Sequence, residues 1–296
     1  MTATPAPWRT LVSAGQLRER LADGADVALL DCGFDLADTA AGERAFAQGH
    51  LPGALYAHLD RDLCGAKTGR NGRHPLPERA AFAARVGAWG IGPRTLVVAY
   101  DAQGGVYAAR AWWMLRWLGH EAAAVLDGGS AAWLAQGGVL ETRPGARTPG
   151  PAYPASASAP GTPLAPSIEV EALQEAMARG EAIVIDARAP ERFRGDIEPL
   201  DPVAGHIPGA LNRFFKDNLG AGGCFKSPGV LAAEFAALGA AAARRGPASV
   251  VHQCGSGVTA CHNLLAMAHA GLHGSALYPG SWSEWCADPR RPVARG

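Results

Sequence analysis

One six-residue pattern occurs twice in the chain and constrains its fold more than any other feature. GHLPGA at Gly49–Ala54 returns as GHIPGA at Gly205–Ala210, 156 residues later. Other pairs recur in the same order: ALLDCG with IVIDAR, LVVAYD with VVHQC, and DGGSAAW with YPGSWSEW. Self-similarity at a nearly constant displacement predicts two copies of one fold. The length of 296 residues and the 48% hydrophobic content are sufficient for two buried cores.

The segment between the copies has a composition that can neither pack a core nor sustain a helix. Residues 143–166 consist mainly of Pro, Ala, Gly and Ser. We therefore predict a linker at 143–166 between a first domain at 8–142 and a second domain at 167–296. Within each copy, short apolar runs such as TLVVAY and AIVIDA alternate with helical patterns. This alternation predicts an α/β fold in which a parallel sheet is covered by helices on both faces.

Charge, hydropathy and cysteine content limit the partners that we expect. Lys plus Arg and Asp plus Glu both number 27, which disfavours nucleic acid and anionic membranes as partners. We find no signal-peptide pattern and no apolar run of about 20 residues, so we expect a cytoplasmic protein that does not engage membranes. The six cysteines lack paired short spacings and are expected to be reduced thiols. Cys261 and His262 are adjacent and would diverge on a helix, so we expect no metal site.

A single cysteine lies where an apolar run ends and a helical pattern begins. Cys254 in HQCGSGVTACHN follows ASVVHQ, and ligands of open parallel sheets bind beyond the carboxyl ends of strands. Gly255 and Gly257 allow successive N–H groups to turn inward and cradle an anion. The positive end of the following helix further favours a thiolate. The sequence therefore predicts a reactive cysteine in an anion-binding loop.

The alternative for Cys254 is an ordinary buried sulfur, because free cysteine is among the most frequently buried residues. The first copy has Asp101 at the matching position. The fold therefore does not require cysteine there, and the repeat favours a chemical role for Cys254.

The repeated motif, the DAR strand end, the cysteine loop and the closing G-S-W-x-E-W together resemble two-domain sulfurtransferases of the rhodanese superfamily. The resemblance extends from about Thr10 to Pro292. It implies two tandem rhodanese-like domains, each with a five-stranded parallel sheet, and a persulfide that forms on the cysteine of the second domain. It also implies a small-molecule sulfur donor, an acceptor that is cyanide or a thiol such as that of a thioredoxin-like protein, and no metal or organic cofactor.

The uncharged loop CGSGVTA is similar to that of the 3-mercaptopyruvate sulfurtransferases, whereas the thiosulfate enzymes carry basic residues after the cysteine. A mercaptopyruvate thiol needs proton handling that a loop serine can supply. The residues to which the resemblance gives roles are the nucleophile Cys254, the proton relay of Ser256, His74 and Asp60, the carboxylate-binding Arg192, and the loop residues Gly255, Gly257, Val258 and Thr259. Because His74 and Asp60 come from the first copy, the relay would need both halves of the chain.

The sequence departs from the family pattern at one substrate arginine. The family places a second arginine a few residues before GHIPG, and here the nearest equivalent is Leu200. Arg194 and Arg213 are the replacements that we consider, whereas Arg188 is expected in a structural ion pair. Two other functions stay open at this point: thiosulfate:cyanide sulfurtransfer, and a non-catalytic sulfur carrier or interaction module.

Overall fold

The computed structural model describes residues 8–154, 164–238 and 245–296, and these form two compact units. Unit 1 comprises the described residues of Met1–Leu63, Glu78–Gly161 and Gly222–Cys224. Unit 2 comprises those of Cys64–Pro77, Thr162–Ala221 and Phe225–Gly296. The predicted boundaries at 8–142 and 167–296 are contiguous, whereas each unit takes a short segment from the other half of the sequence. The predicted linker at 143–166 falls partly outside the described residues.

Unit 1 contains a five-stranded parallel sheet with strand order β1-β5-β4-β2-β3. The strands are β1 (Leu11–Val12), β2 (Val27–Asp31), β3 (Leu55–Tyr56), β4 (Leu96–Tyr100) and β5 (Ala123–Leu126). The helices are α1 (Ala14–Ala22), α2 (Ala41–Gln48), α3 (Leu59–Asp62), α4 (Arg79–Ala88), α5 (Ala108–Trp117) and α6 (Gly129–Ala135).

Unit 2 contains a four-stranded parallel sheet with strand order β7-β6-β8-β9. The strands are β6 (Ile183–Asp186), β7 (Leu211–Asn212), β8 (Val250–Gln253) and β9 (Ala276–Leu277). Ser167 adds a parallel bridge to Leu277, at the sheet edge that corresponds to β1 in unit 1. The helices are α7 (Val170–Ala178), α8 (Pro190–Arg194), α9 (Pro228–Ala237), α10 (Ala260–His269) and α11 (Ser281–Trp285), with 3₁₀ turns at Phe215–Asn218 and Pro247–Ser249.

The central strands of unit 2 are buried on both faces. Val184 and Val251 belong to one apolar cluster, which includes residues of α7 and α11. Their sequence neighbours Ile185 and Val250 belong to a second cluster, which includes residues of α9 and α10. Because successive side chains of a strand point to opposite faces, the continuous apolar run of β8 fits a sheet that is covered on both sides. The predicted fold class is confirmed.

The two histidines of the repeated motif have the same environment in each unit. His50 donates from Nδ1 to the carbonyl oxygen of Phe46 at 2.7 Å and stacks on that ring at 3.8 Å. His206 donates from Nδ1 to the carbonyl oxygen of Phe193 at 2.8 Å and stacks at the same distance. In both copies, the histidine of the motif therefore packs on the ring of the phenylalanine whose carbonyl oxygen it binds.

No helix within residues 8–154, 164–238 and 245–296 is both long and apolar enough to cross a membrane. None of the six cysteines, all of which lie in these ranges, forms a disulfide.

Candidate active site

Cys254 begins a tight loop at the carboxyl end of β8. The residue is only 2% exposed. Its Sγ accepts the backbone N–H of Gly257 at 3.1 Å and that of Ser256 at 3.4 Å. Gly257 has φ of +77°, and a Cβ there would lie 2.4 Å from the carbonyl oxygen of Pro279. Glycine is therefore required at this position for the N–H groups to converge on the sulfur.

Helix α11 fixes the cysteine loop from the other side. Ser281 accepts the N–H of Cys254 at 3.1 Å through Oγ and donates to the carbonyl oxygen of Tyr278 at 2.9 Å. Trp282 and Ser283 donate their N–H groups to the carbonyl oxygens of Cys254 and Gly255, both at 3.0 Å. Among the described residues, Ser281 is the one residue other than glycine that has a positive φ, at +54°. Such backbone strain persists only where the surrounding contacts hold it, and here it aims Oγ at the cysteine.

Val258 and Thr259 lie at the start of α10. Their carbonyl oxygens accept the N–H groups of Cys261 at 3.1 Å and His262 at 3.2 Å. Val258 is buried, and Thr259 is the N-cap residue of the helix. The positive end of α10 thus follows the cysteine loop directly, which stabilises negative charge there. The predicted role of these two residues in substrate binding remains a prediction.

The corresponding loop of unit 1 shows what this backbone geometry binds. The buried carboxylate of Asp101 accepts four backbone N–H groups. Oδ1 accepts those of Gln103 and Gly105, both at 2.8 Å, and Oδ2 accepts those of Tyr107 at 2.9 Å and Ala108 at 3.0 Å. In unit 1 the fold therefore surrounds a carboxylate with N–H donors, and in unit 2 the sulfur of Cys254 takes the equivalent place.

Ser256 and His74 lie together in unit 2. Ser256 Oγ is 2.7 Å from His74 Nδ1, and both residues are buried. The sequence assigns His74 to the first copy, but the segment Cys64–Pro77 belongs to the compact unit that carries the cysteine. Two members of the predicted relay are therefore neighbours within one unit. Asp60 lies in α3 of unit 1, where its N–H donates to His58 Nδ1 at 3.1 Å, and its part in the relay remains a prediction.

Backbone contacts hold the segment Cys64–Pro77 in unit 2. Arg73 donates its N–H to Ser283 Oγ at 3.1 Å, and within the segment Gly65 donates its N–H to the carbonyl oxygen of Pro75 at 2.9 Å, which closes the loop on itself. Gly72 has φ of +81°, and a Cβ there would lie 2.6 Å from the carbonyl oxygen of Gly280. The close approach of this glycine to α11 brings the two residues that follow it to the cysteine loop.

Three arginines and three carboxylates form a buried ionic cluster next to this loop. Arg188 pairs with Asp186 at 2.6 Å, and Glu198 links Arg188 at 3.3 Å to Arg192 at 2.6 Å. Asp201 pairs with Arg192 at 3.3 Å and with Arg73. Burial raises the pKa of the Glu198 carboxyl, but hydrogen bonds from Arg192 and from backbone N–H groups outweigh this effect and hold the pKa below its usual range.

Arg192 and Arg73 both reach the residue that follows the cysteine. A Cβ on Gly255 would lie 2.9 Å from Arg73 Nη2 and 3.4 Å from Arg192 Nη1. Arg192 was predicted at this site from the sequence, and the structure places it next to Gly255. Arg73 was missed, although it directly precedes His74 in the loop GRNGRHPLP. The signal that could have identified it is this adjacency to a predicted relay residue.

The two arginines considered as replacements at Leu200 are engaged elsewhere in unit 2. Arg213 pairs with Glu234 at 2.6 Å and lies over the ring of Phe235 at 5.2 Å. Arg194 pairs with Asp196 at 2.7 Å on the surface. Leu200 itself is 47% exposed. Arg194 and Arg213 thus form their ion pairs away from the cysteine loop, and Arg188, as expected, is held in an ion pair with Asp186.

Among the described residues, no group of three or more His, Cys, Asp or Glu side chains is arranged to hold a metal ion.

The two sheets, the anion-binding loops and the repeated motif define a protein built from two rhodanese-like domains. The family model described as Rhodanese-like domain matches residues 13–136 and 169–288, and the chain belongs to this family.

Comparisons with individual proteins agree with this assignment. The chain is 46% identical to the Pseudomonas aeruginosa protein named "Probable 3-mercaptopyruvate sulfurtransferase", over 97% of this chain and 98% of the relative. It is 33% identical to the thiosulfate sulfurtransferase of Mus musculus, over 98% of this chain and 96% of the relative. Among solved structures, it is similar to the 3-mercaptopyruvate sulfurtransferase from Leishmania major, with a TM-score of 0.81 and 29% identity over 98% of this chain and 77% of that protein.

Proposed function

We propose that this chain is a sulfurtransferase that takes sulfane sulfur from 3-mercaptopyruvate, holds it as a persulfide on Cys254 and passes it to a thiol or to cyanide. The observation that carries the proposal is that the sulfur of Cys254 accepts two backbone N–H groups, those of Ser256 and Gly257. The same type of loop holds a carboxylate in unit 1, so its donors are suited to an anion. The 46% identity to a protein named as a mercaptopyruvate enzyme supports the choice of donor.

In the first step, the thiolate of Cys254 attacks the sulfur of mercaptopyruvate. A sulfur–sulfur bond forms, and the carbon–sulfur bond of the donor breaks. The electron pair of that bond remains on the carbon of pyruvate as its enolate, which then takes up a proton. Backbone N–H groups of Ser256 and Gly257 stabilise the negative charge on the sulfur before and after transfer.

Ser256 and His74 handle the proton in this step. The donor thiol loses its proton as sulfur is transferred, and the enolate gains one. Ser256 Oγ and His74 Nδ1, 2.7 Å apart, provide a hydroxyl and an imidazole through which a proton can move. We propose Asp60 as the third member of this relay on the strength of the sequence resemblance. We propose that Arg192 binds the donor carboxylate through Nη1, since Glu198 and Asp201 accept from its Nε and Nη2 and thereby orient the guanidinium.

In the second step, an acceptor thiolate or cyanide attacks the outer sulfur of the persulfide. The sulfur–sulfur bond breaks, and its electron pair returns to Cys254 as a thiolate, so the enzyme is regenerated without an added oxidant or reductant. A thioredoxin-like dithiol is the acceptor that we propose. The absence of disulfides among the six cysteines supports a reducing compartment, and we propose the cytoplasm.

A comparison of donors in three proteins tests this function. In the wild type, kcat/KM should favour mercaptopyruvate over thiosulfate by at least about tenfold, which corresponds to about 1.4 kcal/mol of transition-state stabilisation. Ser256→Ala should lower mercaptopyruvate turnover by about 100-fold and thiosulfate turnover much less, because thiosulfate brings no thiol proton. Cys254→Ser should abolish transfer from both donors, since a serine hydroxyl cannot form a persulfide.

Three results would contradict parts of this proposal. Retained turnover in Cys254→Ser would overturn the assignment of the nucleophile. Equal or better efficiency with thiosulfate, together with indifference to Ser256→Ala, would favour thiosulfate:cyanide transfer. A persulfide that is detected by intact mass but does not turn over with any acceptor would favour a sulfur carrier.

A further inference from the structure

We infer that His58 is a positioning residue for the proton relay, and that it releases Asp60 when its imidazole takes up a second proton. This role rests on the proposed function, in which Asp60 is the third member of the relay. Its geometric basis is separate and lies within unit 1, where the ring of His58 caps the helix that carries Asp60.

Helix α3 is too short to be stable by itself. It comprises the four residues Leu59–Asp62, and a backbone hydrogen bond from Asp62 to His58, at 2.9 Å, closes its first turn. Ordering the first turn of a helix costs more conformational entropy than a single hydrogen bond offsets. The conformation of Asp60, in the middle of this turn, therefore depends on what holds the N-terminus of the helix.

The side chain of His58 holds that N-terminus. Its Nδ1 accepts the N–H of Asp60 at 3.1 Å and that of Arg61 at 3.3 Å. Asp62 Oδ2 in turn accepts the N–H of His58 at 2.8 Å, which makes the contact reciprocal, as in a capping box. The usual cap residues are Ser, Thr, Asp and Asn, which keep one protonation state around neutral pH. An imidazole in this place makes the cap depend on protonation.

The surroundings of the imidazole fix its tautomer. Nε2 lies 3.1 Å from the carbonyl oxygen of Thr39, which can only accept a hydrogen bond, so Nε2 carries the ring proton. Nδ1 faces two N–H donors and is therefore unprotonated. A second proton would have to go on Nδ1, where it would meet the N–H groups of Asp60 and Arg61. A charged imidazole is thus incompatible with the cap.

Aromatic rings and charged side chains surround His58. The residue is 6% exposed, and its ring makes edge contacts with the rings of Phe34 at 5.2 Å and Tyr56 at 6.0 Å. The charged groups that face it from α2 and α3 are Glu43, Asp62 and Arg61. The two carboxylates favour a charged imidazole, whereas the guanidinium and the N–H donors at Nδ1 favour a neutral one. The pH thus selects between a neutral ring that caps α3 and a charged ring that does not.

The two states differ in how firmly Asp60 is held. With the cap in place, the half-buried Asp60 is fixed through its own N–H. Without the cap, the single turn loses two hydrogen bonds, and the backbone that carries the carboxylate can unwind. Proton transfer requires groups that stay within hydrogen-bond reach of one another. His58 therefore acts on the relay through Asp60 and does not itself contact the donor.

NMR of protein labelled at both ring nitrogens of histidine tests the cap without an assay of activity. At pH 8 we expect His58 to carry its proton on Nε2 and none on Nδ1. As the pH is lowered to about 5.5, the backbone amide signals of Asp60 and Arg61 should shift together with Nδ1, because histidine changes its charge in this range. A proton on Nδ1 at pH 8 would overturn the inference.

The pH dependence of kcat/KM for mercaptopyruvate tests the effect on the relay. Between pH 8 and about pH 5.5, the wild type should lose at least about threefold more activity than His58→Asn, because an amide oxygen accepts the same N–H groups and takes up no proton. At pH 8, His58→Asn should stay within about twofold of the wild type, whereas His58→Ala should lose about tenfold, a factor typical of a lost N-cap. The titrations of Cys254 and His74 are common to all three proteins.

Ser13→Ala is the matched control for the loss of a helix cap. Ser13 Oγ accepts the N–H of Gln16 at 3.2 Å and caps α1 in the same unit. This variant should keep the kcat/KM and the pH profile of the wild type. A loss equal to that of His58→Ala would show that any weakened cap in unit 1 impairs turnover, and it would overturn the specific role of His58.

A double-mutant cycle shows whether His58 acts through Asp60. Asp60→Asn should lower mercaptopyruvate turnover, and the addition of His58→Ala should cause little further loss, because the carboxylate that the cap positions is already absent. Losses that multiply in the double variant would show that His58 acts by another route and would refute its positioning role.

The outcomes separate this role from the proposed function. If Asp60→Asn impairs turnover but His58→Ala and His58→Asn match the wild type at every pH, the relay stands and the role of His58 is wrong. If Asp60→Asn has no effect, Asp60 is not a relay member, and both proposals for it are refuted. If thermal unfolding shows that His58→Ala does not fold, His58→Asn alone decides, and a pH profile parallel to that of the wild type overturns the inference.

Discussion

At the scale of single residues, the chain places different anions in the same loop of its two copies. Asp101 carries a carboxylate that takes four backbone N–H groups, and Cys254 carries a sulfur that takes two. A carboxylate cannot accept sulfur to form a persulfide, whereas a cysteine thiolate is a sulfur nucleophile. The loop of the first copy is thus filled by a carboxylate of the protein itself, whereas the loop of the second copy holds a sulfur that can react.

His252, two residues before Cys254 in the chain, gives unit 2 a pH dependence of its own. Burial lowers the pKa of His252 to about 3, whereas an unfolded histidine titrates near pH 6.5. In the window between these values the unfolded chain binds a proton that the folded chain does not. This group therefore lowers the free energy of unfolding by about 1.4 kcal/mol for each pH unit below about 6.5, down to about pH 3.

Denaturant unfolding between pH 7 and pH 4 can measure this effect. We expect the stability of His252→Asn to fall less steeply with decreasing pH than that of the wild type, even if the variant is less stable at pH 7. His273→Asn, which changes an exposed histidine, should follow the slope of the wild type. Parallel curves for wild type and His252→Asn would contradict the assignment.

At the scale of elements, the loop after the central strand is a preformed anion site whose occupant can be removed. Asp101→Ala would leave the N–H groups of Gln103, Gly105, Tyr107 and Ala108 without their acceptor. Hydrogen bonds to charged groups contribute about 1.5–3 kcal/mol each, and not additively, so we expect a loss of about 3 kcal/mol or more in the free energy of unfolding of unit 1.

The same variant should gain an affinity for small anions. Sulfate or thiosulfate is expected to raise the melting temperature of Asp101→Ala more than that of the wild type at matched ionic strength, because only the variant has an open cradle. Asp35→Ala removes an exposed carboxylate that accepts the N–H groups of Ala37 and Asp38, and it serves as the control. Equal anion effects in all three proteins would show that the N–H groups of the loop do not form a cradle.

At the scale of the whole molecule, the two units are not the two halves of the sequence. Unit 2 includes Cys64–Pro77, which supplies His74 next to Ser256 and Arg73 next to Gly255. A cut at the predicted linker would therefore separate the cysteine loop from two of its neighbours, although it would leave every strand of the second sheet in one piece.

An isolated fragment of residues 165–296 tests the importance of this segment. We expect it to lose mercaptopyruvate turnover by about 100-fold or more, a factor typical for the loss of positioned acid–base groups. Full-length His74→Ala is the matched comparison, because it removes the imidazole and keeps the rest of the chain. Circular dichroism shows whether the fragment retains helices. A fragment as active as the full chain would demonstrate that neither His74 nor Arg73 is needed.

The sequence by itself determined the features that are local. The repeated hexapeptide, the alternation of apolar runs with helical patterns and the position of Cys254 predicted two parallel α/β sheets with an anion-binding loop at a strand end. Each of these features depends on the backbone preferences of neighbouring residues or on the period of apolar side chains. A short stretch of sequence is therefore enough to predict it. Arg192 was identified in the same way, from a resemblance carried by contiguous residues.

Only the tertiary structure decided which distant side chains meet at the cysteine loop. Arg73 lies in a loop without apolar periodicity, and the contact of His74 with Ser256 spans 182 residues. Neither contact leaves a pattern in the segment itself. Both need the close packing of Gly72 against Gly280, and the position of the Arg73 guanidinium also depends on the buried carboxylate of Asp201. The sequence suggested Arg194 and Arg213 as replacements for the missing arginine and did not suggest Arg73. Which of them faces Gly255 is set by the ion pairs that hold the other two away, and these form only when the chain is folded.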